Sequence, residues 1–163
     1  MANTQIGKFW LALPWLLLAL GVPVLAWWAF EPVPLEIKYV APAFLSRPVV
    51  DRQDAMTAMV TEVRGGATLW RYVEYCVKRP FDATTHRAWV GKALVWHAPD
   101  LPTVLSRTEG CFAANLAVEI PTSSPTRSFQ YVHRMTIDMN PLRTETIEYA
   151  PIALTILDGK DCK

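Results

Sequence analysis

Cys76, Cys111 and Cys162 are the three cysteines of the chain. Thiols in an oxidising compartment pair by default, so three of them give one disulfide and one leftover. Cys76 and Cys111 both fall on the more polar parity of β-patterned runs, and their bridge is expected to staple neighbouring strands near the surface. Cys162, next to the C-terminus, is then free or open to an intermolecular bond. Three reduced thiols stand as the alternative, because spacing fixes neither connectivity nor compartment.

His133, Met135 and Met139 share one face of an alternating run. Imidazole with soft thioethers suits Cu(I), which gives one reading as a membrane-tethered periplasmic copper carrier. Phe129, Tyr131 and Ile137 lie on the same face, so the competing reading is core filler around a hydrogen-bonded histidine. His86 and His97 are expected at the two ends of one strand, apart and at the surface. There is no Gly-x-Ser-x-Gly, phosphate-binding glycine loop, zinc spacing or haem attachment motif, and no cofactor and no enzymatic activity are expected. The carboxylates are scattered over polar parities, the pattern of a solvated face and not of a glycosidase pair.

Arginine outnumbers lysine ten to six. Arg71, Tyr72, Tyr75 and Arg79 fall in one run, with Arg87 and Trp89 in the next. Arginine among exposed aromatics is enriched at protein interfaces, and these six form the expected interaction surface if the two runs are adjacent strands. Arginine stems lying over buried rings account for the same residues equally well.

The elements that must position these groups have period two. From Thr126 to Met139, Phe129, Tyr131, His133, Met135, Ile137 and Met139 take one face, and Gly110 to Ile120 alternates likewise. Both runs read as half-buried strands. Leu35, Ile37 and Tyr39 alternate with Glu36 and Lys38, whereas Leu69–Arg79 and His86–His97 are β-rich but less cleanly sided, as in central or bent strands. Turn residues at Gly65-Gly66, Arg79-Pro80, Pro99-Asp100, Ser123-Ser124-Pro125 and Asn140-Pro141 separate the runs. In Glu145–Leu157 the apolar parity changes at Pro151, predicting a bulge or an edge. Arg47–Ala58 reads as a loop or one helical turn.

Seven or eight antiparallel strands in this length fit an immunoglobulin-like β-sandwich. Cys76 followed thirteen residues later by Trp89 resembles the immunoglobulin cysteine and its core tryptophan. Cys111 arrives too early for the family's second cysteine, and Glu109 stands where a tyrosine corner needs tyrosine. The resemblance is therefore one of architecture.

Phe9–Phe30 is a run of twenty-two residues without a charge. As a helix it is about 33 Å long, enough to cross a bilayer core. Pro14, Gly21 and Pro23 predict a kink. Trp10, Trp15, Trp27 and Trp28 are the expected membrane anchors, the outer three at headgroup level. Lys8 precedes the run, while Glu31 and Glu36 follow it, which puts the N-terminus in the cytoplasm. Cleavage after Ala26 is the competing reading, but the run is longer than a signal peptide's.

The expected organisation is a cytoplasmic N-terminus (1–8), a signal-anchor helix (9–30), a stiff proline spacer (31–34) and a periplasmic or extracellular domain (35–163). After residue 30 there are 15 basic and 15 acidic side chains, no footprint for nucleic acid. A single-pass inner (plasma) membrane protein binding another envelope protein, with homo- or hetero-oligomers open to it, is the leading expectation. A phage or mobile-element protein acting at a host envelope has the same build.

Overall fold

The computed structural model describes residues 4–92, 95–103, 105, 108–120, 122 and 128–157, with the side chains of the first helix described from residue 14. In chain order come α1 (Thr4–Phe30), β1 (Leu35–Val40), β2 (Phe44–Leu45), α2 (Arg52–Ala58), β3 (Met59–Val60), β4 (Glu62–Arg64), β5 (Thr68–Val77) and β6 (Asp82–Val90). They are followed by β7 (Val95–His97), β8 (Leu101–Pro102), β9 (Gly110–Glu119), β10 (Ser128–Asn140), β11 (Arg143–Glu148) and β12 (Ile152–Leu157). The domain is mostly β. Twelve strands among the described residues exceed the seven or eight expected, because two- and three-residue strands carry too few side chains to leave a periodic trace.

Two sheets face each other. In the first, β5 pairs with β9 along one side and with β1 and β2 along the other, and β3 joins β2. In the second, β10 pairs with β6 on one side and with β11 and β12 on the other. Short β7 and β8 border β6, and β4 joins β12 in parallel, the exception to antiparallel pairing.

Leu69, Val73, Tyr75 and Val77 of β5 pack against Phe129, Tyr131, Met135 and Ile137 of β10 in two apolar clusters. Each Val or Ile fully buried there contributes roughly 1.5–3 kcal/mol. The other face of β5 is covered as well. Tyr72 packs with Leu45, Val49, Ala55 and Ala58 beneath α2, whose first turn is capped by Asp51 accepting from the Asp54 amide at 2.8 Å. Burial on both faces explains why this strand lacks a clean alternation.

Cys76 and Cys111 are direct cross-strand partners on β5 and β9 and form a disulfide. The bridge lies on the outer side of one sheet, as their parity predicts. Trp89 is buried in the opposite sheet against Phe44 and Tyr131, so cysteine and tryptophan do not make an immunoglobulin-type core pair. Cys162 and the Ser123-Ser124-Pro125 turn lie outside the described residues.

Three local readings change. The His86–His97 run is not one strand, because β6 and β7 fold back as a hairpin with Ala88 opposite His97. This brings the two histidines toward one another. The register of β1 shifts between Ile37 and Tyr39, and the bulge at Lys38 turns Tyr39 to the α2 side, 6.2 Å from Tyr72. Residues 31–34 do not lift the domain away as a spacer: Pro34 is fully buried, its carbonyl accepts from the Lys78 amide at 2.7 Å, and Val33 packs on the core.

The same joint grips the end of α1. Asn140 Nδ2 donates to the Trp28 carbonyl and to Glu31 Oε2, both at 3.1 Å. Arg143 Nη1 donates to the carbonyls of Ala29 (3.0 Å) and Glu31 (2.9 Å), and Arg79 pairs with the Glu31 carboxylate. Helix-end carbonyls at Trp28 and Ala29 are thereby satisfied by the β10–β11 turn, while Arg79, from the β5–β6 turn, holds the Glu31 side chain. Among the described residues no helix is long and apolar enough to cross a membrane. The side chains of α1 described, 14–30, cover about 26 Å of helix.

Candidate functional site

Between the two apolar clusters the inward positions turn polar. On β5, Arg71 sits between Leu69 and Val73; on β10, His133 sits between Tyr131 and Met135. Both are buried, at 1% and 4% exposure. Arg87, directly opposite His133 on β6, completes the layer. These are residue types that enter an interior only with partners.

A bulge builds much of the site. Val132 and His133 of β10 face three residues, Tyr149, Ala150 and Pro151, because the register advances by one between Glu148 and Ile152. This is the irregularity that the parity switch at Pro151 predicts. It lays the Tyr149 ring on the His133 imidazole, stacked at 4.4 Å and 14°, and turns the Ala150 carbonyl toward Arg71 Nη2 at 3.3 Å. Arg71 also lies over the Tyr149 ring, 4.9 Å from its centroid, and its Nη1 is 3.4 Å from His133 Nδ1. A neutral imidazole accepting there must carry its proton on Nε2.

The electrostatics have one sign. Burial, and then the charges of Arg71 and Arg87, drive His133 down to about 3, so it is neutral near pH 7. Burial pushes Tyr131 and Tyr149 up to about 12, and both phenols keep their protons. Burial also lowers Arg71, although a guanidinium remains charged at neutral pH. The Nε atoms of Arg71 and Arg87 are buried and have no hydrogen-bond partner among the described residues. An uncompensated buried charge costs several kcal/mol.

These groups line a cavity of about 370 Å³. Arg71, Arg87 and His133 meet Thr85, Leu116, Val118, Tyr131, Met135 and Tyr149, and Leu101–Thr103 with Leu105 form a further wall. Leu101, Pro102 and Ala117 are its exposed members and lie on β8 and β9, which border the two sheets. The cavity therefore nears solvent along the side of the sandwich. Among the described residues no carboxylate lines it.

A second hollow, about 650 Å³, lies over the outer face of the β6–β10 sheet. Ala88, Val90, Val95, Val132, Arg134 and Glu148 border it together with His86 and His97. His86 Nδ1 is 2.8 Å from Asp100 Oδ1. Among the described residues there is no group of three His, Cys, Asp or Glu that could hold a metal ion.

The six residues of the expected interaction surface are dispersed. Arg71, Tyr72, Tyr75 and Trp89 are buried, Arg79 serves the α1 joint, and β5 and β6 belong to different sheets. Arg71 does lie against a buried ring, but its guanidinium stays buried over Tyr149 instead of reaching out to water. Met135 and Met139 pack in the apolar cluster, and a copper ion on His133 would face the Arg71 guanidinium. Trp15 and Trp27 are 74% and 71% exposed, Trp28 is half-buried, and the Trp10 side chain lies outside the described residues. Sequence reasoning assigned Arg71 and Arg87 to the surface; their inward parity, shared with Val73 and Trp89, was the signal available.

No family model matches the chain, and no curated protein matches it.

Proposed function

We propose that this is a non-enzymatic, single-pass membrane protein. In this reading α1 crosses the inner (plasma) membrane with its N-terminus in the cytoplasm, and the sandwich binds another envelope protein as an accessory, scaffold or assembly subunit. The observation that carries it is the state of α1. Trp15, Leu17, Leu20, Val22, Leu25 and Trp27 are all exposed, and a helix apolar on every side needs an apolar surrounding. The charge-free run Phe9–Phe30 is long enough to reach across a bilayer.

Two further features support the reading. A Cys76–Cys111 disulfide suits an oxidising compartment. The grip of Asn140, Arg143 and Arg79 on residues 28–32 fixes the sandwich to the helix end, so a partner meets it in one orientation. We assign partner contact to the outer hollow beside Val90, Val95 and Val132, and read the two-layer architecture as immunoglobulin-like.

Carbonate extraction and protease shaving of cells carrying the full chain test the membrane arm. The expected result is retention in the membrane pellet with the C-terminal domain cleaved from the outer side; release by carbonate overturns it. Pull-down with the full chain tests the binding arm. A stoichiometric partner lost in Val95→Asp and Val132→Lys is expected, and a chain that stays monomeric and alone sinks the idea.

A further inference from the structure

We propose that the cavity between the sheets is a binding site for a small apolar carboxylate, whose anionic head lies against Arg71 and Arg87 and whose hydrocarbon body lies against Leu101, Leu105, Leu116 and Met135.

The argument starts from unmatched charge. Arg71 is 1% exposed and its hydrogen-bonding contacts are to a neutral imidazole and a carbonyl; neither cancels its charge. The Arg87 Nε is buried without a partner among the described residues. Among the described residues no Asp or Glu lines the cavity, and the two nearby phenols stay neutral. The described lining thus supplies fixed positive charge and spare N–H donors, with no carboxylate among them. A carboxylate supplies the missing charge and matches a guanidinium fork in two parallel hydrogen bonds.

Size and lining select the rest of the ligand. At about 30 Å³ per water-sized group, 370 Å³ holds on the order of a dozen non-hydrogen atoms. Beyond the guanidiniums the walls are mainly aliphatic and aromatic, with threonine hydroxyls at Thr85 and Thr103, the His133 imidazole, and Asn115, whose side-chain amide is bonded to the Val49 backbone. Inorganic phosphate would leave that apolar wall unused, whereas a six- to eight-carbon acid fills both parts. Apolar lining with a few convergent polar groups is the ordinary composition of a small-molecule site. The opening beside Leu101 and Ala117, on border strands, gives an entry that requires no sheet to part.

Titration calorimetry on the full chain in lipid nanodiscs, with empty nanodiscs as blank, tests the proposal using hexanoate, benzoate, hexanol, benzyl alcohol and inorganic phosphate. The expected result is saturable one-to-one binding of the two carboxylates, about tenfold or more weaker for the matching alcohols, and none for phosphate. Arg71→Met is expected to weaken hexanoate about tenfold or more; Arg87→Met gives the same test where Arg71→Met does not fold. Alcohols binding as tightly as carboxylates, phosphate binding as tightly as hexanoate, no saturable binding by either acid, or hexanoate affinity unchanged in the folded variants would each overturn it. The proposal does not depend on α1 crossing a membrane: a chain released by carbonate that still binds hexanoate removes the membrane reading and leaves this one.

Discussion

Along β5 and β10, two residues separate regions built on opposite principles. Val73 and Met135 belong to an apolar cluster with Tyr75, Phe81 and Ile137, and one inward position further on stand Arg71 and His133, equally buried. The first region gains from every square ångström removed from water, about 25 cal/mol each. The second gives up hydration of a charge and recovers only part of it from a ring face, a carbonyl and an imidazole. Equal burial therefore does not mean equal contribution to stability. A costly layer held in place by a bulge, between two sufficient apolar clusters, is best understood as serving a ligand.

Substitution on both sides of this divide gives the largest contrast. Ile137→Ala is expected to destabilise by about 2–5 kcal/mol through lost transfer energy and a cavity. Arg71→Met, which removes a buried charge at similar volume, is expected to be neutral or stabilising. Urea unfolding of the two variants beside the parent measures the difference, and an Arg71→Met loss as large as that of Ile137→Ala would make the polar layer structural. Next in size is the disulfide, which lies outside both regions. For its sequence separation of 35 residues, replacing Cys76 and Cys111 by serine should cost about 3–4 kcal/mol by restoring freedom to the unfolded chain. Reductant should move the parent's urea midpoint to that of the double variant and leave the variant's own midpoint alone.

How much of this was legible in the sequence depends on how far each feature reaches along the chain. The long strands β9 and β10, the Cys76–Cys111 pair and the irregularity at Pro151 were legible because period two and its breaks are local. The second layer over β5 was not, since Tyr72 and Arg71 belong to opposite faces of a strand covered on both sides. The hairpin between β6 and β7 was missed because its turn lacks a strong signal beyond Gly91, so His86 and His97 read as the ends of one strand. The site itself needed three strands from two sheets. An inward arginine on β5 and another on β6 look like surface charges until the register puts both against His133.

The polar layer also predicts an acid sensitivity that the apolar cluster lacks. His133 is held down to about 3 by burial first and by Arg71 and Arg87 second, against about 6.5 in an unfolded chain. Between those values the unfolded state binds a proton that the folded state refuses, so this contribution is complete above pH 6.5 and is lost as the pH falls. From pH 6.5 to 5 the loss is about 2 kcal/mol. Exposed carboxylates such as Glu36, held low by Lys38 and Lys78, add their losses further down. His133→Phe keeps a ring against Tyr149 and removes the titration, so its urea midpoint should move less than the parent's between pH 7 and 5. Equal slopes would place the sensitivity elsewhere.

The smallest expected effect lies at the α1 joint, where the contacts are polar and partly open to water. Asn140→Ala removes hydrogen bonds to the Trp28 carbonyl and to Glu31, a change of about 1 kcal/mol. Global stability should barely register it, because Asn140 ends β10 beyond the apolar cluster. Amide exchange should register it more clearly, since freeing the helix end raises local opening at 28–33 without touching the middle of β10. Faster exchange confined to the joint would make it a separable grip between helix and sandwich. Faster exchange spreading to Met135 and Ile137 would instead make the joint part of the apolar region, and the helix could then not be repositioned without loosening the core.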